Sequence, residues 1–231
     1  MKKYIFLFCF LIPILACGNN RALSESTSYG TPEKGRIEYA WQLPSSGPNY
    51  SAYSIIGVSL GRNYVNSQVY RVVIDAYSTL QKKTPSKKFV YGETGWAKGG
   101  RFRPHKTHQN GLSVDFFVPV VDKEGKSVPL PTNMFNKFGY AIEFDSSGKF
   151  KNYSIDFEAM AEHLLALKEA ADRHNVKIKW VIFDNELQKL LFKTARGPQL
   201  QKQLVFSKKT PWIRHDEHYH VDFIVPSKEY R

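Results

Sequence analysis

Five of the seven histidines in this chain fall in two short stretches. The first is His105-Lys106-Thr107-His108-Gln109-Asn110-Gly111-Leu112-Ser113-Val114-Asp115; the second is His215-Asp216-Glu217-His218-Tyr219-His220. Imidazoles and carboxylates in such company suit a divalent cation, zinc above all. The two cysteines, Cys9 and Cys17, both lie near the N-terminus. The body of the chain therefore has no thiol to act as ligand or nucleophile, and a metal site there must use His and carboxylate groups.

Those groups need elements to hold them. LSVDFFVPV (112–120) alternates, with Leu112, Val114, Phe116 and Val118 on one side and Ser113, Asp115 and Phe117 on the other. YHVDFIVP (219–226) reads as a last strand, in which a period of two sets His218, His220 and Asp222 on one face and Val221, Phe223 and Val225 on the other. Neighbouring strands would bring Asp115 and His220 together on a shared polar face. Gly111 lets the preceding loop turn so that His108 joins them. Two imidazoles and one carboxylate leave a fourth zinc position open to water. The same alternation sends Glu217 and Tyr219 to the face opposite His218.

The remaining pattern is mixed. Val65, Val69, Val72, Val73, Ala76, Tyr77 and Leu80 predict an amphipathic helix over 64–82. Asp156 is placed to cap a second helix over 157–174, which contains His163 and His174 as structural residues. Strands are expected at 88–95 and 176–184, and a short helix at 185–195. Helices and strands do not alternate regularly, which predicts an α+β fold with a small, mainly antiparallel sheet flanked by helices.

The N-terminus reads as an export signal. Lys2 and Lys3 precede an apolar run, Tyr4 to Ala16, too short to span a bilayer comfortably. Ile14-Leu15-Ala16-Cys17 resembles a bacterial lipobox, so Cys17 is the expected site of lipid attachment, and Gly18 after it favours the outer membrane. The expected organisation is a lipoprotein signal at 1–16, a flexible tether at 17–36 and one metal-binding domain at 37–231. Formal charge is +12, and loss of residues 1–16 removes two lysines and leaves +10. That excess suits an anionic partner, either lipid head groups or a cell-wall polymer. Export to the periplasm argues against nucleic acid.

The wording of the motifs goes further. Gly99-Gly100-Arg101-Phe102, the His105-x-x-His108-Gln109-x-Gly111-Leu112-x-Val114-Asp115 stretch, Trp180-Val181-Ile182-Phe183, Pro211-Trp212 and His215-x-x-His218-x-His220-Val221 together resemble the penicillin-insensitive murein endopeptidases. These belong to a wider group of zinc peptidases related to lysostaphin and the D-Ala-D-Ala metallopeptidases, the latter sharing a fold with Hedgehog. The resemblance implies Zn²⁺ on His108, Asp115 and His220, with His218 as general base or transition-state stabiliser. It also implies that His105 and His215 line the site or bind a second metal. The implied substrate is peptidoglycan, cut at the cross-link between D-Ala and meso-diaminopimelate. Arg101, in the Gly-Gly-Arg-Phe motif, is the candidate for gripping a substrate carboxylate, beside His105. The segment 144–150 lacks the histidine that family members can use for a second metal, which argues for one zinc. Two other activities fit the residues less fully: a D-Ala-D-Ala carboxypeptidase or dipeptidase, and a non-catalytic wall-binding lipoprotein.

Overall fold

A computed structural model describes residues 24–209 and 213–231. The expected signal segment, Cys17 and the Pro211-Trp212 motif lie outside the described residues.

The centre of the molecule is a five-stranded sheet. Its strands are β1 (Tyr50–Ala52), β2 (Phe89–Tyr91), β3 (Ser113–Phe117), β4 (Lys177–Ile182) and β5 (His218–Ile224), in the order β4-β5-β3-β2-β1. Every neighbouring pair is antiparallel except β1 and β2. The fold is thus α+β and mainly antiparallel. β3 is shorter than its sequence pattern. Pro119 has no N–H for a ladder, and the Val118 N–H donates instead to the carbonyl of Glu217.

Two long helices, α1 (Ser67–Lys83) and α2 (Phe157–Arg173), pack on each other and on one face of the sheet. α1 starts later than the apolar pattern suggests. The Asn66 side chain accepts from Gln68 N and caps the helix, while Tyr64–Val65 pair with Trp41–Gln42 as a short ribbon. Asp156 caps α2 by accepting from Ala159 N at 3.0 Å, as its position before the apolar run predicts. The buried rows Val69, Val72, Val73, Ala76 and Leu80 of α1 and Met160, Ala161, Leu164 and Leu167 of α2 supply the core with Val114, Phe116, Tyr219 and Val221 from the sheet. Two shorter helices, α3 (Asn185–Leu191) and α4 (Gly197–Gln203), flank α2.

His163 of α2 reaches the sheet. Its ring stacks on Tyr77 and meets Phe116 edge-on, and Nδ1 is hydrogen-bonded to the hydroxyl of Tyr219. Nε2 has no partner among the described residues.

The tether boundary is corrected. Thr27–Thr31 and Lys34–Glu38 form an antiparallel hairpin, and Ser227–Lys228 adds to it in parallel, so residues 27–36 are part of the folded body. Ser28 is fully buried, and its hydroxyl donates to the carbonyl of Asn110 in the loop that carries His108. A Gly/Ser/Thr-rich composition reads as linker, but here small residues serve close backbone pairing. No helix among the described residues is long and apolar enough to cross a membrane.

Candidate metal centre

The antiparallel register of β3 and β5 sets His220 opposite Asp115, Asp222 opposite Ser113, and His218 opposite Phe117. The alternate residues, Val114, Phe116, Tyr219 and Val221, are buried in the core. One face of the strand pair therefore feeds the core and the other carries the polar side chains, as period two requires.

Asp115 is the hub, fully buried. Its Oδ1 lies 3.2 Å from His108 Nε2 and 2.9 Å from His220 Nδ1. Its Oδ2 lies 3.8 Å from both His105 Nδ1 and His218 Nε2, and accepts from the Tyr140 hydroxyl at 3.0 Å. Donor atoms of His105, His108 and Asp115 all lie within 4.8 Å of one another. Four imidazoles thus surround one carboxylate, two at each oxygen.

His108 arrives from the loop before β3. Gly111, at φ +76°, turns that loop: a Cβ there would sit 2.6 Å from Ile37 Cδ1 and 2.9 Å from Asn66 N. His108 itself adopts φ 68°, a left-handed conformation that costs energy in a non-glycine residue. Its Nδ1 lies 3.1 Å from the carbonyl of Thr94, which can only accept, so Nδ1 carries the proton. Nε2 is left as a lone pair facing Asp115 Oδ1, buried and without a hydrogen-bond partner. Burial lowers the His108 pKa and keeps the ring neutral. A buried lone pair with nothing to accept from is costly in an ordinary protein interior and is the form a metal ligand requires.

The outer contacts complete the arrangement. His220 Nε2 lies 2.9 Å from Asp222 Oδ1, and Asp222 in turn accepts from Ser113 Oγ at 2.5 Å and from Trp180 Nε1 at 2.7 Å. This is the carboxylate–histidine pairing that orients imidazole ligands at metal sites. Burial opposes a charge on His220, but the carboxylates of Asp222 and Asp115 outweigh it and raise its pKa to about 10. Burial also opposes ionisation of Asp222, yet His220, Ser113 and Trp180 hold it at about 2. Asp115 is pulled well below the usual carboxylate range, because the neighbouring imidazoles outweigh its burial.

Glu93, which no sequence motif singled out, is a further buried carboxylate. The Asp115 N–H donates to the Glu93 carbonyl at 3.1 Å, so β3 fixes its position. The Glu93 side chain meets His105 Nε2 at 2.6 Å, accepts from the Tyr53 hydroxyl at 2.7 Å, and receives both Nε and a terminal nitrogen of Arg62. Burial would raise its pKa, but the bonds from His105 and Arg62 prevail and hold it at about 2. Glu93 thus meets the Arg62 guanidinium, while Asp115 and Asp222 meet His220. With the unpartnered Nε2 of His108, this donor set fits a divalent cation.

The site opens into a cavity of about 790 Å³, lined by His105, His215, Glu217, His218 and His220 and walled by Tyr140 and Trp180. β5 begins at His218, so strand alternation does not extend to Glu217. Its carboxyl lines the same cavity, 2.9 Å from His218 Nδ1, where the sequence pattern had set it on the opposite face. Burial raises Glu217 to about 8 and lowers His218 to about 4. His215 stands 4.6 Å from His218, ring centre to ring centre, with Nδ1 against the carbonyl of Ile213; burial and the neighbouring His218 lower it to about 3.

Arg101 is exposed and lines a separate, shallower cavity of about 490 Å³ with Arg103 and Gln109; this cavity shares Pro104, His105 and Lys106 with the main one. The guanidinium in the main cavity is that of Arg62, which lies over the rings of Phe102 and Trp96.

Residues 28–231 match the family model described as penicillin-insensitive murein endopeptidase, which is nearly the whole described chain. No curated protein matches the sequence significantly.

Proposed function

This chain belongs to the penicillin-insensitive murein endopeptidase family, and from that premise we propose that it is a zinc-dependent hydrolase of peptidoglycan cross-links. The favoured bond joins D-Ala to meso-diaminopimelate. The observation that carries the metal reading is the meeting of His108 Nε2 and His220 Nδ1 at one oxygen of Asp115, with His108 Nε2 buried and otherwise unpartnered. His108, Asp115 and His220 would hold the ion, and His105 stands at the other oxygen of Asp115 as a further donor. Zinc, when bound, supplies Lewis-acid polarisation of a carbonyl and acidification of water.

The chain's own residues supply the rest. His218 lies in the cavity with Nε2 directed toward the Asp115 side and Nδ1 at Glu217. Once ionised, above its raised pKa of about 8, Glu217 accepts from Nδ1–H and leaves the Nε2 lone pair free to take a proton. With Glu217 raised and His218 lowered by burial, the two titrate as a pair. We therefore assign His218 as the proton acceptor and Glu217 as the group that sets its tautomer. His215 and Tyr140 flank the His218 ring. Asp222, anchored by Ser113 and Trp180, fixes the plane of His220. Arg101 lines the smaller cavity and His105 borders both, where a substrate carboxylate would be gripped.

The proposal includes lipid attachment at Cys17 and a periplasmic, outer-membrane location, which rest on the lipobox reading of Ile14 to Cys17. Mass spectrometry of the mature N-terminus tests them. For the reaction, purified peptidoglycan dimers are incubated with the protein, with and without a chelator, and analysed by mass. Conversion of dimers to monomers that stops with chelator and returns with zinc is expected. Shortening of pentapeptides instead would mean a carboxypeptidase. Retention of muropeptides at unchanged mass would mean a wall-binding protein.

A further inference from the structure

Tyr140 stands in an irregular segment, outside both histidine stretches, yet its hydroxyl sits at the centre of the site. It donates to Asp115 Oδ2 at 3.0 Å and accepts from the Glu93 N–H at 2.8 Å. Its single proton is thus committed to Asp115 and its lone pair to the backbone that carries Glu93. The ring is held by edge-on contacts with Phe117 at 5.0 Å, His218 at 5.2 Å and His105 at 5.5 Å.

The surrounding backbone is built to admit this hydroxyl. Gly92 lies beneath it: a Cβ at that position would come within 2.6 Å of the phenolic oxygen and 3.0 Å of Asp115 Cβ. The segment leading to Tyr140 turns through Lys137 at φ 51° and Phe138 at φ 56°, two consecutive non-glycine residues in the left-handed region. Such strain persists only where surrounding structure enforces it. Here the Asn133–Asn136 capping box and the edge-on contact of Phe138 with Tyr53 do so.

We infer that Tyr140 is a positioning residue for the metal centre: by binding Oδ2 of Asp115 it fixes the carboxylate so that Oδ1 is presented to His108 and His220. A carboxylate on a strand can rotate about χ2, and either oxygen is chemically equivalent until something distinguishes them. Of the groups near Oδ2, His105 and His218 stand at 3.8 Å, too far for a hydrogen bond. Among the described residues, Tyr140 is the one side chain at bonding distance of Oδ2. Because its other bond reaches the Glu93 N–H, it also ties Asp115 to the backbone of the residue whose carboxylate meets His105.

This inference rests on the zinc reading of Asp115, and the test separates the two. Tyr140→Phe removes the hydroxyl and keeps the ring contacts. Tyr53→Phe is the matched control, since it removes a hydroxyl that bonds to Glu93 at 2.7 Å but does not touch Asp115. Zinc dissociation constants are measured by competition with a chromophoric chelator, and the visible spectrum of each protein is recorded with cobalt in place of zinc. Tyr140→Phe is expected to weaken zinc roughly 10- to 100-fold and to shift the cobalt spectrum, while Tyr53→Phe stays within about threefold of the parent with an unshifted spectrum. Equal weakening in both variants, or parental affinity in Tyr140→Phe, overturns the role of Tyr140 and leaves the zinc site standing. A parent protein that takes up no zinc overturns both readings. Should Tyr140→Phe fold poorly, Gly92→Ala displaces the hydroxyl from the other side, and the same loss of affinity is expected.

Discussion

Replacing His163 with Phe should remove an acid sensitivity that the parent protein carries in its core. His163 is fully buried among Tyr77, Phe89, Phe116 and Tyr219, and burial lowers its pKa from 6.5 to about 3. The sign follows from proton counts. Above pH 6.5 the ring is neutral in both folded and unfolded chains, so it contributes no pH dependence. Below that value the unfolded chain binds a proton that the folded chain refuses, so stability falls as pH falls, until about pH 3 is reached. The loss approaches about 1.4 kcal/mol per pH unit and amounts to about 2 kcal/mol at pH 5. Other groups titrate in this range. Burial raises Glu217 and Asp216, which stabilise the fold as pH falls and so work in the opposite direction. The difference between parent and His163→Phe cancels them. Urea unfolding at pH 5, 6, 7 and 8 gives the free energy of each protein. The parent-minus-variant difference should be flat from pH 7 to 8 and fall by about 2 kcal/mol by pH 5. A difference constant across the whole range would mean that His163 ionises inside the fold, and the reasoning would fail.

Substituting His218 with Ala should leave zinc stoichiometry unchanged and lower turnover of cross-linked dimers by roughly 10²- to 10⁴-fold; undiminished turnover would remove His218 from the mechanism. Asp222→Asn replaces one of the oxygens that receive Ser113, Trp180 and His220. Zinc affinity should drop roughly 10- to 100-fold, read by chelator competition, and an unchanged affinity would show that His220 needs no partner at Nε2. Leu164→Ala, at a fully buried position of α2, should cost about 2–5 kcal/mol in urea unfolding and leave zinc affinity at the parental level. Weaker zinc binding there would mean that the helical layer and the polar face of the sheet are not independent.

Periodic segments were the legible part of this sequence. Val114 and Phe116 against Ser113 and Asp115 gave both the strand and its polar face, and β5 answered it with His220 opposite Asp115. The apolar rows of α1 and α2 and the cap at Asp156 were equally plain. What escaped was aperiodic. Glu93 follows a three-residue strand and Tyr140 follows two left-handed residues, so neither belongs to a repeating pattern that spacing could reveal. Glu217 was set on the wrong face because alternation was carried one residue past the point where β5 starts. Residues 27–36 of the hairpin read as tether because their Gly, Ser and Thr content resembles linker composition. Its pairing with Ser227–Lys228 joins residues about two hundred positions apart in the chain, beyond the reach of any local window. Gly92 next to Tyr140 was the one local clue: a glycine just past a strand marks a close approach by something.

The gathering of four imidazoles and a phenol around Asp115 has a consequence for how the site can vary. Substitutions among residues that share one partner do not combine as independent effects. Once Asp115 is gone, removing His108 or His220 as well has little left to destroy, whereas the same two histidines removed with Asp115 in place compound each other. Change at any one of these positions therefore alters the selective cost of change at all the others. A variant without Asp115 would release its histidines and Tyr140 from the one contact that they share.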